Sequence, residues 1–202
     1  MKYIYYKGTD SNKSTMLLLH GTGGTETDLL PISEKIDPDA AVLGVRGNVL
    51  ENGMPRFFKR LAEGVFDEAD LKQHTEELYD FINHKASEHQ FDREHVIALG
   101  YSNGANIAAS LLFLKPNALH GAILFRPMVP LRDVQLPDLT GISVFIGAGK
   151  NDPLCPPEET DELAQLLRQA GAQVDIHWSY HGHQLTQEDI QAATLWYNGL
   201  SN

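Results

Sequence analysis

Short apolar runs rich in β-branched residues alternate along this chain with longer segments whose apolar positions recur every three to four residues. Residues 16–19, 41–45, 96–99, 122–125, 143–146 and 174–178 form the first class and predict strands. In the second class, Leu71, Leu78 and Ile82 share one helical face, as do Leu163, Leu166, Leu167 and Ala170. Ile190, Ala193 and Tyr197 repeat the pattern after Thr186, a candidate N-cap. Residues 105–112 predict a further helix, in which Ala105, Ala108 and Ala109 permit close packing on a sheet, and Pro156-Pro157 suits the first turn of the helix around Leu163. Alternation of this kind requires crossover connections. It predicts an α/β fold, a mainly parallel sheet with helices on both faces and ligands at the carboxyl ends of the strands. Residues 3–7 add a candidate edge strand whose direction the pattern leaves open.

One long interruption remains, residues 46–70, with Gly47, Asn48, Asn52, Gly53, Pro55 and the pair Phe57-Phe58. An irregular stretch of this length in a compact domain is either functional or disordered. Its aromatics and Met54 predict an ordered loop that packs, either across the edge of the core or as the wall of a binding site.

The most specific local signal is Gly100-Tyr101-Ser102-Asn103-Gly104, directly after an apolar run and directly before a helical one. A serine between two glycines at a strand-to-helix turn is a nucleophile elbow. The glycines admit the sharp turn that holds the hydroxyl out at the strand's carboxyl end, and the helix adds its N-terminal dipole near a developing anion.

A serine hydroxyl is a weak nucleophile. It needs a neutral histidine to take its proton and a carboxylate to fix that histidine's tautomer, in the chain order serine, acid, histidine. Asp152 has the required position, since it follows a strand ending in glycines and lies between Asn151 and Pro153; Asp133, Asp138, Asp161 and Asp175 lack that setting. His177 falls inside the alternating run 174–180 and reads as a strand histidine. His181 and His183 lie beyond that strand, where a loop can reach over the elbow. No cysteine or glutamate joins these histidines in a recognisable ligand set, so neither a metal nor another cofactor is expected.

The glycine-rich turn Leu19-His20-Gly21-Thr22-Gly23-Gly24 ends the first buried strand and suggests an oxyanion site. Its donors would be the backbone N–H groups of Thr22 and Asn103, with His20 shaping the turn. Neither this turn nor Gly147-Ala148-Gly149-Lys150-Asn151 has the spacing of a phosphate-binding Walker loop. No segment between residues 125 and 143 is long enough for a cap domain, so the predicted site is shallow and roofed by loops. Candidate walls are Thr22, Met54, Phe57, Phe58 and the Met128-Val129-Pro130-Leu131 turn, with Phe57 and Phe58 serving equally well as core residues.

Composition narrows the partners. The 27 acidic and 16 basic side chains give a formal charge of -11, which disfavours nucleic acid and anionic membranes. No apolar stretch approaches the length of a membrane span. The single cysteine, Cys155, and a first segment, Met1-Lys2-Tyr3-Ile4-Tyr5-Tyr6, without the apolar core of a signal peptide predict a cytoplasmic location. No linker, repeat or charge block divides the 202 residues, so one domain, 1–202, is expected. The oligomeric state stays open, a homodimer included.

Taken together, Leu19-His20-Gly21-Thr22-Gly23-Gly24, Gly100-Tyr101-Ser102-Asn103-Gly104, Asn151-Asp152-Pro153 and His181-Gly182-His183 resemble the carboxylesterase/phospholipase family of α/β-hydrolases, over nearly the whole chain. Within it, Arg46-Gly47-Asn48-Val49-Leu50-Glu51-Asn52-Gly53-Met54-Pro55-Arg56-Phe57-Phe58 is similar to the bacterial branch linked to hydroquinone and catechol stress, relatives of the acyl-protein thioesterases. The resemblance implies a serine esterase acting on small carboxylic esters, aryl esters or thioesters among them. It also favours His183 over His181, because the family's histidine stands in a Gly-His-x setting before the last helix, which falls on Gly182-His183-Gln184. Asn103-Gly104-Ala105 departs from the glutamine and second glycine of many relatives, a change that leaves the backbone donor intact. The competing reading is a hydrolase-fold binding protein for a small aromatic ligand, its triad unused; a transferase with an alcohol acceptor would need the same residues.

Overall fold

A computed structural model describes residues 1–10 and 13–200. In chain order its elements are β1 (Lys2–Tyr6), β2 (Thr15–Leu19), α1 (Leu30–Ile36), β3 (Ala41–Arg46), β4 (Val49–Glu51), β5 (Met54–Arg56), β6 (Arg60–Ala62), β7 (Val65–Phe66), α2 (Glu68–His89), β8 (Val96–Tyr101), α3 (Asn103–Leu114), β9 (Gly121–Phe125), β10 (Ser143–Gly149), α4 (Pro157–Gln169), β11 (Gln173–Ser179) and α5 (Gln187–Asn198). Among the described residues the main sheet has seven strands in the order β1-β3-β2-β8-β9-β10-β11. Its pairings are parallel except at one edge, where β1 runs antiparallel to β3. That settles the direction of the N-terminal strand.

The continuous apolar runs follow from burial on both faces. Along β2, Leu17 and Leu19 enter one core layer while Met16 and Leu18 enter the other, the period-2 alternation of a strand. The first layer collects Leu71, Leu78 and Ile82 of α2, seven apolar residues of α3 from Ala105 to Phe113, and Leu163 and Leu167 of α4. The second is smaller and collects Ile36 of α1 and Ala193 of α5 with Leu99, Phe125 and Phe145. The small residues of α3 sit where expected, with Ala105, Ala108 and Ala109 fully buried.

Ends and connections carry the differences from the sequence reading. Helix α1 is seven residues long with a proline in its first turn, too short for a periodic signal. Thr186 caps α5 in a capping box with Asp189, and Pro157 opens α4 behind Pro156. Residues 46–70 are not irregular. They form two small hairpins, β4–β5 and β6–β7, followed by the start of α2, which is capped by Asp67. At the tip of the first, Asn52 and Gly53 have φ values of 51° and 79°, the pair of positive angles that a two-residue hairpin turn demands.

Phe57 and Phe58 link the two hairpins and point inward, 1% and 0% exposed. Phe57 packs on the His20 ring and Phe58 edge-on against Phe66. Their expected place as binding-site walls is therefore corrected to the core. The hairpins themselves expose Leu50, Met54, Leu61 and Val65 on their outer faces, so these two buried rings, packed with Leu17 and Leu19, tie the segment to the sheet. Among the described residues no helix is long and apolar enough to cross a membrane.

Candidate active site

The elbow geometry at Ser102 is set by what surrounds it. A β-carbon on Gly104 would overlap the carbonyl oxygens of Leu19 and His20, and one on Gly100 would overlap the backbone of Gly104 and Ala105. Glycine at both positions lets α3 start against β2, one residue after Ser102. The serine itself takes φ 52° and ψ −113°, a conformation that L-residues rarely adopt and that aims the hydroxyl into the cleft.

The loop between β11 and α5 brings His183 over this hydroxyl. His183 Nε2 lies 2.9 Å from Ser102 Oγ, and Nδ1 lies 2.7 Å from Asp152 Oδ2. Asp152 follows β10, and its side chain is closed to solvent. Its other oxygen accepts the N–H groups of Leu154 at 2.8 Å and Cys155 at 3.1 Å, so the carboxylate has one orientation. His181 is exposed, and His177 stacks on Phe145 beside Glu188 and Asp189. Of the three histidines, His183 is the one that meets the serine.

Thr22 and Asn103 stand on the same cleft as Ser102 and His183. In the glycine-rich turn, Gly23 N donates to Pro55 O and Gly24 N to Gly21 O, which bends the turn at Thr22. His20 holds it from below, with Nδ1 2.6 Å from Gly21 O and Nε2 accepting Gly47 N at 3.0 Å. Burial pushes the His20 pKa below its ordinary value, consistent with a neutral ring that accepts at Nε2. Asn103 Oδ1 accepts the Phe57 N–H at 2.7 Å, and Asn103 N opens α3, where an intrahelical acceptor is lacking.

The cleft has a volume of about 300 Å³. Met128 lines it as expected, its N–H held by Asn106 Oδ1 at 2.8 Å. Met54 does not. It opens β5, is exposed and lies over Gly23, outside the cleft. In place of Met54, Phe57 and Phe58, the walls include Phe66, Tyr101, Leu154 and two arginines that sequence reasoning missed. Arg56 is buried; its Nη1 donates to Thr22 Oγ1 at 2.7 Å and its Nε lies 3.2 Å from Glu51, which also receives Arg60 at 2.9 Å. Burial and the Arg60 charge lower the Arg56 pKa, against the opposing pull of Glu51.

Asp152, Cys155 and His183 bring their ligand atoms within 4.8 Å of one another, the cluster best placed for a metal among the described residues. The geometry is that of a hydrogen bond instead. Ligands each about 2 Å from a tetrahedral zinc stand roughly 3.3 Å apart, well beyond the 2.7 Å between Asp152 and His183. Cys155 is buried, and burial with the Asp152 charge pushes its thiol strongly upward, towards the protonated form, while its Sγ donates to Arg126 O at 3.3 Å. An imidazole bridging a hydroxyl and an oriented carboxylate is an arrangement that can activate that hydroxyl.

A sequence model of the dienelactone hydrolase family matches residues 51–195. Over 197 residues, 98% of each chain, the sequence is 62% identical to the putative hydrolase MhqD of Bacillus subtilis (strain 168). The crystal structure of the Bacillus cereus carboxylesterase is similar at 58% identity and TM-score 0.97, over 98% of this chain and 93% of that one. YahD, solved with malic acid, is similar at 35% identity and TM-score 0.94, over 99% of both chains.

Proposed function

Because the chain belongs to the dienelactone hydrolase family and has the α/β-hydrolase fold, we propose that it is a carboxylesterase working through a covalent acyl-enzyme on Ser102. The observation that carries this reading is the continuous contact from Ser102 Oγ through His183 to Asp152, at 2.9 and 2.7 Å. His183 Nε2 takes the hydroxyl proton as Oγ attacks the ester carbonyl. The resulting oxyanion accepts hydrogen bonds from the Thr22 and Asn103 N–H groups, and collapse expels the alcohol, which leaves with the proton from His183. Water then attacks the acyl carbon, giving its proton to His183, and release of the acid returns that proton to Ser102.

Asp152 fixes the tautomer with Nδ1 protonated. Cys155 is no rival nucleophile, for it lies 3.9 Å from Nδ1, on the carboxylate side of the ring, and is buried. The cleft, about 300 Å³ and walled by Phe66, Tyr101 and Met128, fits a short acyl group with a small or aromatic alcohol or thiol better than a lipid. Arg56 and Arg60 line the cleft and share one carboxylate, Glu51, so one positive charge is left over to favour a polar or anionic substituent.

The test is labelling with a fluorophosphonate, followed by mass spectrometry and a panel of ester and thioester substrates. A Ser102 adduct with preference for short-chain or aryl esters is expected. An adduct on Cys155, or none, overturns the mechanism; an unused triad in a binding protein would give none.

A further inference from the structure

Among the described residues Arg126 is the largest fully buried side chain, and no step of the proposed mechanism uses it. It directly follows β9 with φ 55°, an unusual conformation for a residue with a long side chain. Its backbone N–H continues the sheet by donating to Gly147 O at 2.8 Å. The guanidinium crosses beneath the loop that carries His183. Nε donates to Gly182 O at 2.9 Å, and Nη2 to Gln184 O at 2.7 Å and Ser179 Oγ at 3.1 Å. Asp189 of α5 receives Nη1 at 3.1 Å and Nη2 at 2.8 Å, a fork-to-fork pair with neither side chain exposed.

The two carbonyls that Arg126 holds belong to the residues on either side of His183. The carbonyl of His183 itself accepts the Tyr101 hydroxyl at 2.9 Å, and Gly182 N donates to Asn151 Oδ1 at 2.9 Å. Three consecutive carbonyls of a non-repetitive loop are thus taken by side chains, two of them by one guanidinium. On the other side, the Arg126 carbonyl accepts the Cys155 thiol, next to the backbone turn that orients Asp152. One residue therefore ties the acid's loop and the base's loop to the sheet.

A buried ion pair is a poor source of net stability, because desolvation offsets most of the attraction, so its use here is better sought in the geometry it fixes. Burial alone would raise the Asp189 carboxyl, yet the Arg126 contacts hold it below the ordinary carboxylate range, so the pair stays charged as acid approaches. Only arginine has enough donors in a rigid fork to take two carbonyls and a carboxylate at once.

We propose that Arg126 is a positioning residue that holds the His183 ring between Ser102 and Asp152, acting through the Gly182 and Gln184 carbonyls with Asp189 as its anchor. This rests on the reading of His183 as the base.

The experiment compares Arg126→Lys, Asp189→Asn and, as a control that removes one Arg126 contact outside the loop that carries His183, Ser179→Ala. Each is measured for kcat and KM on a short aryl ester, for its rate of fluorophosphonate labelling, and for the downfield His183 Nδ1 proton in the NMR spectrum, all well below its melting temperature. Lysine keeps the charge but cannot bridge both carbonyls. For Arg126→Lys, kcat and the labelling rate should fall together by about 10²-fold, the scale of an ångström-sized misplacement of a reacting group. KM should stay within a factor of about two, and the downfield proton should broaden or vanish. Asp189→Asn should move the same readouts in the same direction by less, and carries the test if Arg126→Lys does not fold; Ser179→Ala should leave them unchanged. Folded variants of both with wild-type kcat and an intact downfield proton, lowered only in melting temperature, overturn the proposal. Full activity in His183→Gln would instead overturn the base itself.

Discussion

Replacing Asp152 by asparagine tests the site through a single tautomer. The carboxylate is closed to solvent and its two oxygens have separate duties: Oδ1 accepts two backbone N–H groups, from Leu154 and Cys155, and Oδ2 faces His183 Nδ1 at 2.7 Å. In Asp152→Asn the amide oxygen must take the Oδ1 place. The reversed amide would set its own N–H groups against two backbone donors, losing two buried hydrogen bonds at about 1–3 kcal/mol each. The amide nitrogen then points at Nδ1, so the imidazole must accept there and carry its proton on Nε2. Ser102 Oγ, 2.9 Å away, meets a donor where it needs an acceptor.

The base is thus absent in the ground state, although size and packing are preserved. A loss of about 10⁴-fold in kcat is expected, the scale seen when the same change is made in a serine protease triad, or about 5.5 kcal/mol of barrier. The assay is steady-state hydrolysis of a nitrophenyl acetate, normalised to folded protein, with a thermal melt to show that the variant folds. Activity within tenfold of the parent in a folded Asp152→Asn protein would refute both the tautomer argument and the role of Asp152.

Phe58→Ala, and Phe57→Ala with it, should cost about 3–5 kcal/mol in urea unfolding while the ester preference of the folded fraction stays that of the parent; a shifted preference with little lost stability would put these rings back in the cleft. His20 has a folded pKa below its unfolded one, so its contribution is complete above the ordinary value near 6.5 and is lost as pH falls through the depressed folded value. Unfolding measured at neutral pH and in mild acid should therefore show a smaller acid loss in His20→Gln than in the parent, and equal losses would place the effect elsewhere. His183→Ala should match Ser102→Ala in its loss of activity, by several orders of magnitude, while His181→Ala keeps most of it; initial rates on the same ester decide, and the reverse ranking would move the base by two residues.

Legibility in the sequence followed the range of the constraint. The strands β2, β3, β8, β9 and β10 are visible because burial on both faces writes a continuous apolar run, β11 because its apolar positions alternate, and α2, α4 and α5 because one apolar face repeats at helical spacing. Ser102 was visible for a backbone reason, since the close approach of α3 to β2 admits no side chain at Gly104 and the turn admits none at Gly100. The hairpin in residues 46–70 also had a local signal, Asn52-Gly53, but its strands are three residues long and show no alternation to support it. For Phe57 and Phe58 the residue type is equally at home in a core and in a binding wall, so only the packing decides.

The arginines belong to a different class. Arg126 is joined to Gly182 and Asp189 across 56 and 63 positions, and Arg56 to Thr22 across 34. Neither spacing has a period, and a cation after an apolar run reads locally as the polar end of a strand. Such residues leave one indirect mark: a loop that must hold a reacting group in place without regular hydrogen bonding has to satisfy its carbonyls from elsewhere. The segment 180–186 between β11 and α5 carries His183 and so raises that question from sequence alone. The structure answers it with a donor-rich side chain at the carboxyl end of β9, two strands away from β11 in the sheet: Arg126, directly after Phe125.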